Sequence, residues 1–429
     1  MFSNEHAPQS ETEHGKRYEN AHETTEKAAQ LGKNAKSRAT VDLEGKKPGV
    51  RVDRKTGEIV TKKPDPAAVR CERYALQSVV RSLLPASRTA NCLRVRQGNR
   101  QEIDVWRSKA HGSASYAGLQ TCGSVWLDPV CSAKISERRR AELKTAIGTW
   151  TETGGAVWLL TLTHPHTARD SLAELLEAEQ RALHGFFTNR AGKALKVSLG
   201  LAGHVRAWEV THGRLRTHSN GWHPHFHILL FLRELPGDIK ALEAEAFKVW
   251  ANACRSAGLA VPSAAHGVSL DDGAKAAEYV SKMGLEDPRA NAPTPEPQAP
   301  VSGWGLDAEM TKGHTKKAKD GETPFDLLRA VFATKDAEAG RLFCEFAAAF
   351  HGKRQLAWSR GLRDLLGLGR EETDGEIEAH HEPDAELLGS LTLDEWRAVV
   401  AADLRAELLE LARHGWEPVR RLLDSLIPR

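Results

Sequence analysis

Residues 222–232 read Trp-His-Pro-His-Phe-His-Ile-Leu-Leu-Phe-Leu. In an extended strand, successive side chains fall on opposite faces. His223, His225 and His227 therefore share one face, and Phe226, Ile228 and Leu230 the other. The apolar continuation seats this strand in a core. Imidazoles two residues apart on one face can direct ring nitrogens at a single divalent ion, so the same stretch that demands a buried sheet also offers a metal site. His223 shares the face but lies at the strand's edge, as a support rather than a ligand.

The neighbouring segments supply partners. Residues 156–163, Ala-Val-Trp-Leu-Leu-Thr-Leu-Thr, read as a buried strand leaving into His164-Pro165-His166. His204–His212 reads as another strand. Ser219-Asn220-Gly221 is a turn signal between it and the histidine strand, so the two are expected as antiparallel neighbours. That pairing places Glu209 beside His225 and His227 as a candidate third ligand. Two imidazoles and a carboxylate suit Mg²⁺ or Mn²⁺ better than a closed tetrahedral zinc. Downstream, a short strand over 267–270 and a helix from Asp272 are expected. Lys275, Tyr279 and Lys282 share a face of that helix, with Glu278 beside them. A tyrosine flanked by ammonium groups is suited to attack a phosphodiester while the cations hold its oxygens.

Cys92, Cys122 and Cys131, with Asp128, form a possible structural zinc set, although Asp128 stands where a fourth sulfur would be usual. Six cysteines in 429 residues do not suggest a secreted disulfide framework. A net charge of +3 confines any nucleic-acid surface to local patches. A polar N-terminus and the lack of a long apolar run point to a cytoplasmic protein.

The expected organisation is a disordered arm (1–67), an N-terminal helix with a cysteine-containing subdomain (68–152) and the histidine-bearing domain (153–288). A linker with a basic patch of Lys312, Lys316 and Lys317 (289–322) follows, then a helical extension (323–370), an acidic linker (371–388) and C-terminal helices (389–429). Lys275 and the patch lysines are candidate DNA contacts. Arg138–Arg140 read as a solvated helix face.

Three motifs occur in order: Leu160-Thr161-Leu162-Thr163, His223-Pro224-His225-Phe226-His227 and Tyr279-Val280-Ser281-Lys282. Together they resemble the HUH endonucleases, and most closely the rolling-circle plasmid replication initiators of Gram-positive bacteria. Cys122-Gly123-Ser124-Val125-Trp126, Thr323-Pro324-Phe325 and residues 356–362 are similar to the actinobacterial branch. The resemblance implies an α+β nicking domain with a central antiparallel sheet flanked by helices. It implies a catalytic divalent metal on His225 and His227, attack by Tyr279, a 5′-phosphotyrosine and a 3′-hydroxyl primer. Lys282 would position the phosphate. Plasmid origin DNA, a host helicase and a host polymerase are the implied partners. Some relatives place a glutamate one turn before the tyrosine to terminate replication. Lys275 stands there, leaving Glu278 or Asp272 as candidate acids. The alternatives are a relaxase or transposase nickase, a non-catalytic origin-binding protein, and a metal hydrolase or oxygenase using His225, His227 and Glu209, which has no use for Tyr279.

Overall fold

The computed structural model describes residues 50–52, 59–61, 65–273, 276, 321–379 and 384–427. In the first of two units, Met1–Lys62, strands β1 (Val50–Val52) and β2 (Ile59–Thr61) pair antiparallel within the segment read as an arm. Residues 65–67 of the arm instead open helix Pro66–Leu83, and its remaining residues lie outside the described ones.

The second unit, Lys63–Arg429, is α+β and contains two antiparallel sheets. Strands β5 (Ala156–Leu162), β6 (Leu201–His212), β7 (Trp222–Leu232), β8 (Val268–Asp271) and β9 (Leu356–Trp358) form the larger, in the order β8-β5-β7-β6-β9. The register follows the alternation: Glu209 pairs with His225 and Thr211 with His223 across β6 and β7, and Thr161 pairs with His227 across β5 and β7. One face presents Phe226, Ile228, Leu230 and Leu232 to a core with helices Leu172–Thr188 and Ile239–Ala257. All four are fully buried, and such burial contributes roughly 1.5–3 kcal/mol per side chain before entropy. On the other face, Leu143, Ala146 and Trp150 of helix Pro129–Glu152 cover Leu229 and Phe231 at one end. The histidine end of that face is left uncovered by this helix.

Strong local signals set the helix ends. Asp65 caps Pro66–Leu83, with proline at the first position. Thr323 and Asp326 form a capping box on Pro324–Thr334. Asp238 opens Ile239–Ala257, and Gly258 closes it in the left-handed region. The expected helical stretch 325–350 is two helices, Pro324–Thr334 and Ala337–Ala349.

Three expectations change. Within the expected helical extension 323–370, Leu356–Trp358 is an edge strand on β6, followed by the short helix Leu362–Leu365. The acidic stretch 371–388 is not a plain linker. It contains helix Asp374–Ala379 and the start of β10 (Ala385–Thr392). Its acids bind the arginine row: Arg138 pairs with Glu372 at 3.0 Å and Arg139 with Asp374 at 3.2 Å, so buried Arg139 is no solvated residue. The C-terminal segment carries three helices, Leu393–Ala401, Arg405–Ala412 and Trp416–Leu426, and does not stand apart. β10 pairs with β3 (Glu102–Ser108), which pairs with β4 (Ala114–Ala117). Residues from 74 to 135 share one core with Leu391, Trp396, Leu408 and Leu423.

Candidate metal centre and active site

Glu209 is the hinge of the site. Its Oε2 lies 2.9 Å from His225 Nε2 and 2.8 Å from His227 Nε2. The β6–β7 register forces this, because Glu209 sits directly opposite His225 and His227 is two residues along the same face. Each imidazole is oriented from behind: Thr161 Oγ1 is 3.0 Å from His227 Nδ1, and the His223 carbonyl is 3.4 Å from His225 Nδ1. Such contacts hold Nδ1–H and leave Nε2 for a ligand. Burial pushes the Glu209 carboxyl up, but hydrogen bonds from both histidines outweigh it and hold the group well below the usual carboxylate range. Burial likewise works against a charged His225, and its bond to Glu209 raises the ring above its ordinary value.

The donor set fits a small divalent cation. Two ligands at right angles and about 2.1 Å from such an ion stand about 3 Å apart, close to the 2.8 and 2.9 Å between Glu209 and the two rings. The Glu209 side chain is 50% exposed, so the site is open on one side.

His223 does not join this triad. Its Nδ1 is 2.7 Å from His166 Nε2, and His166 Nδ1 is 2.8 Å from the Asn220 carbonyl. Below them, His164 Nε2 meets Glu179 Oε1 at 2.7 Å, both side chains fully buried. Burial disfavours a charged His164, and Glu179 more than compensates, raising it. In the sequence, His164-Pro165-His166 stands without an assigned role. Their position at the exit of a strand adjacent to β7 was the available signal. Glu179, on a helix, carried none, whereas Thr161 stands in the Leu160-Thr161-Leu162-Thr163 motif without an assigned role.

The helix after β8 is described only at its start. Ala276 is buried in the same core as Leu159, Ala207 and Leu229, on the triad's side of the sheet. Lys275, Glu278, Tyr279, Lys282, Lys312, Lys316 and Lys317 lie outside the described residues.

The second predicted set also converges. Cys92, Cys122, Asp128 and Cys131 are all buried. Cys131 Sγ is 3.4 Å from Cys92 Sγ and 3.6 Å from Cys122 Sγ, and Cys122 Sγ is 3.3 Å from Asp128 Oδ2. Ligands around tetrahedral zinc with bonds near 2.3 Å stand about 3.8 Å apart, so this cluster is slightly contracted but of the right form. Asp128 also serves the fold directly. Its Oδ1 caps helix Pro129–Glu152 through Val130 N at 2.8 Å, and Oδ2 accepts from Gln77 Nε2 at 2.8 Å. Hydrogen bonds with Cys131 and Cys92 lower the Cys122 thiol, to about 3. Burial, then the Cys122 charge, pushes Asp128 up to about 7.

A five-stranded antiparallel sheet presenting two alternate histidines and a cross-strand glutamate defines a protein with an open, metal-ready face. Comparison with known proteins narrows this. Residues 117–235 match the family described as "Replication protein". The chain is 28% identical over 380 residues to Protein rep of Streptomyces lividans, covering 73% of this chain and 76% of that one. It is 33% identical over 152 residues to the neomycin resistance protein of Streptomyces cyanogenus, covering 30% of this chain and 34% of that one. No solved structure matches. These matches make the chain similar to Rep replication proteins. No helix among the described residues is long and apolar enough to cross a membrane.

Proposed function

We propose that this protein initiates rolling-circle replication of a plasmid by nicking one strand at the origin. The observation that carries the reading is the bridge from Glu209 Oε2 to Nε2 of His225 and His227 on adjacent strands. The matched replication-protein family supplies the substrate class. Glu209, His225 and His227 would hold Mg²⁺ or Mn²⁺, which when bound polarises the scissile phosphate.

Tyr279 Oη attacks phosphorus, the P–O3′ bond breaks, and a P–Oη bond forms. The tyrosine proton leaves to solvent, and the 3′ oxygen takes one up as the primer hydroxyl. Resealing is the reverse attack, by a 3′-hydroxyl on the phosphotyrosine. Lys282 and Lys275 hold phosphate oxygens, and Glu278 or Asp272 serves a hydrolytic termination. Ala276, three residues before Tyr279, packs on the triad's side of the sheet, which supports a nucleophile there. Cys92, Cys122, Asp128 and Cys131 would hold structural zinc beneath the N-terminal helix. The lysine patch at 312–317 contacts origin DNA, and host helicase and polymerase extend the primer.

The test uses Mn²⁺ and a labelled single-stranded oligonucleotide from the replicon's own origin, resolved on a denaturing gel. A protein–DNA adduct is expected that disappears in Tyr279→Phe. An adduct that survives the substitution, or none with the parent protein, defeats the proposal.

A further inference from the structure

Beside the triad lies a cleft of about 620 Å³, reaching from Glu209 and His225 past His166 and His223 to Ser263 and His266. A volume in the few-hundred Å³ range is typical of small-ligand sites.

Its walls are tightly built. Gly221 has φ +75°, and a Cβ there would stand 2.9 Å from Ala168 Cα, so the turn at 219–221 is pressed against the loop after β5. Across the cleft, a Cβ on Gly267 would meet Pro262 Cβ at 2.6 Å, and the Ser263 carbonyl accepts from the amides of His266 and Gly267. A site framed by loops this close-packed is preformed and loses little order on binding.

The lining chemistry is that of a base rather than a phosphate. Among the described residues it includes one arginine, Arg216, and no lysine. Phosphate recognition by side chains ordinarily recruits cations. Instead there is a run of imidazole rings: His166 and His223 lie 4.9 Å apart at 37°, and His223 stacks on His225 at 4.9 Å and 27°. Their hydrogen bonds set the tautomers. His166 Nδ1–H donates to the Asn220 carbonyl, so a neutral His166 accepts at Nε2 from His223 Nδ1–H. His223 is then left with an unprotonated Nε2, which has no hydrogen-bond partner among the described residues.

We propose that this cleft is a nucleobase subsite. It seats the base of a nucleotide next to the scissile phosphate against the His166–His223 rings, and His223 Nε2 accepts a hydrogen bond from the base edge. The inference rests on reading the chain as a DNA-nicking replication protein. It adds that strand selection begins at a cleft continuous with the metal triad, and it makes His223 a reader of the substrate.

The test is equilibrium binding by fluorescence anisotropy, on Tyr279→Phe protein with Mn²⁺ so that no covalent step intervenes. The probes are the four homopolymeric 20-nucleotide DNA strands and an abasic deoxyribose-phosphate strand of equal length. Stacking and hydrogen bonding of a base predict that at least one base-bearing strand binds roughly five- to a hundredfold tighter than the abasic one. His223→Ala lowers that ratio several-fold. Ser263→Trp fills the cleft from an exposed position without touching the backbone bonds of its loop, and brings the ratio near one. Abasic-strand affinity and Mn²⁺ affinity, followed by electron paramagnetic resonance, stay at the parent value in Ser263→Trp. Equal affinity for base-bearing and abasic strands overturns the proposal, as does no measurable binding of any strand or a ratio that neither substitution moves. Failure of the nicking reading shows separately, as absence of the Tyr279-dependent adduct, and leaves the binding ratio measurable.

Discussion

Replacing Asp128 by alanine removes three interactions at once. The helix Pro129–Glu152 loses its cap, at Val130 N and Cys131 N, a loss of about 1–2 kcal/mol. Gln77 Nε2, fully buried, loses its acceptor at 2.8 Å, and an unsatisfied buried donor costs about 1–3 kcal/mol. Together these give about 2–5 kcal/mol in chelator-treated protein, a large part of a usual domain stability of about 5–15 kcal/mol. The third interaction is the carboxylate's place in the sulfur cluster; Asp128→Asn keeps an acceptor for the cap and removes the anion, while turning an amide NH2 toward Gln77 Nε2, whose Oε1 is held by Arg405. Urea unfolding with and without chelator, together with bound zinc by elemental analysis, separates these roles. Asp128→Ala is expected to be destabilised in both conditions. After chelation Asp128→Asn should lose only the Gln77 part, about 1–3 kcal/mol, and it should bind zinc more weakly than the parent. If Asp128→Ala lies within about 0.5 kcal/mol of the parent, the capping argument is refuted; if Asp128→Asn retains zinc with parental affinity, the carboxylate is not a ligand.

Glu209→Gln should weaken Mn²⁺ binding by more than the roughly 10–100-fold typical of losing an outer partner. Thr161→Val, which removes the oxygen 3.0 Å behind His227 Nδ1, should fall within that range; titration calorimetry reading unchanged affinity for both would remove the triad from consideration. Gly221→Ala forces a side chain into the left-handed region and against Ala168, so a loss of about 1–2 kcal/mol is expected, and unfolding midpoints equal to the parent's would contradict the close packing. The buried His164–Glu179 pair gives a pH dependence. His164 is raised in the folded state, so its stabilisation is complete below the unfolded value of about 6.5 and fades as pH climbs through the folded value. Thermal midpoints of Glu179→Gln should lack this decline, and a parallel decline in both proteins would exclude the pair as its source.

The local elements were largely legible. The histidine strand, its glutamate partner and the turn between them follow from period-two alternation and Ser219-Asn220-Gly221, and the register sets Glu209 opposite His225. Leu356–Trp358 was misread because a three-residue edge strand is too short to display a period, and Leu362, Leu365 and Leu366 behind it imitate a helical stripe. Acidic composition concealed the 371–379 segment. Its charges look like a solvated linker until Arg138 and Arg139, more than 200 residues earlier, are brought against them.

What the sequence determined by itself was the chemistry on each element: which histidines share a face, which acid opposes them, and which cysteines are available. These depend on neighbours a few residues apart, and strand and helix periods project them directly. The tertiary structure alone decided three things: that β10 completes a sheet with β3 and draws the C-terminal helices into the cysteine core, that His223 turns to His166 instead of the triad, and that a cleft opens beside Glu209. Each depends on contacts across tens to hundreds of residues. There, burial and hydrogen-bond satisfaction are settled by the packing of whole elements, which no local period records.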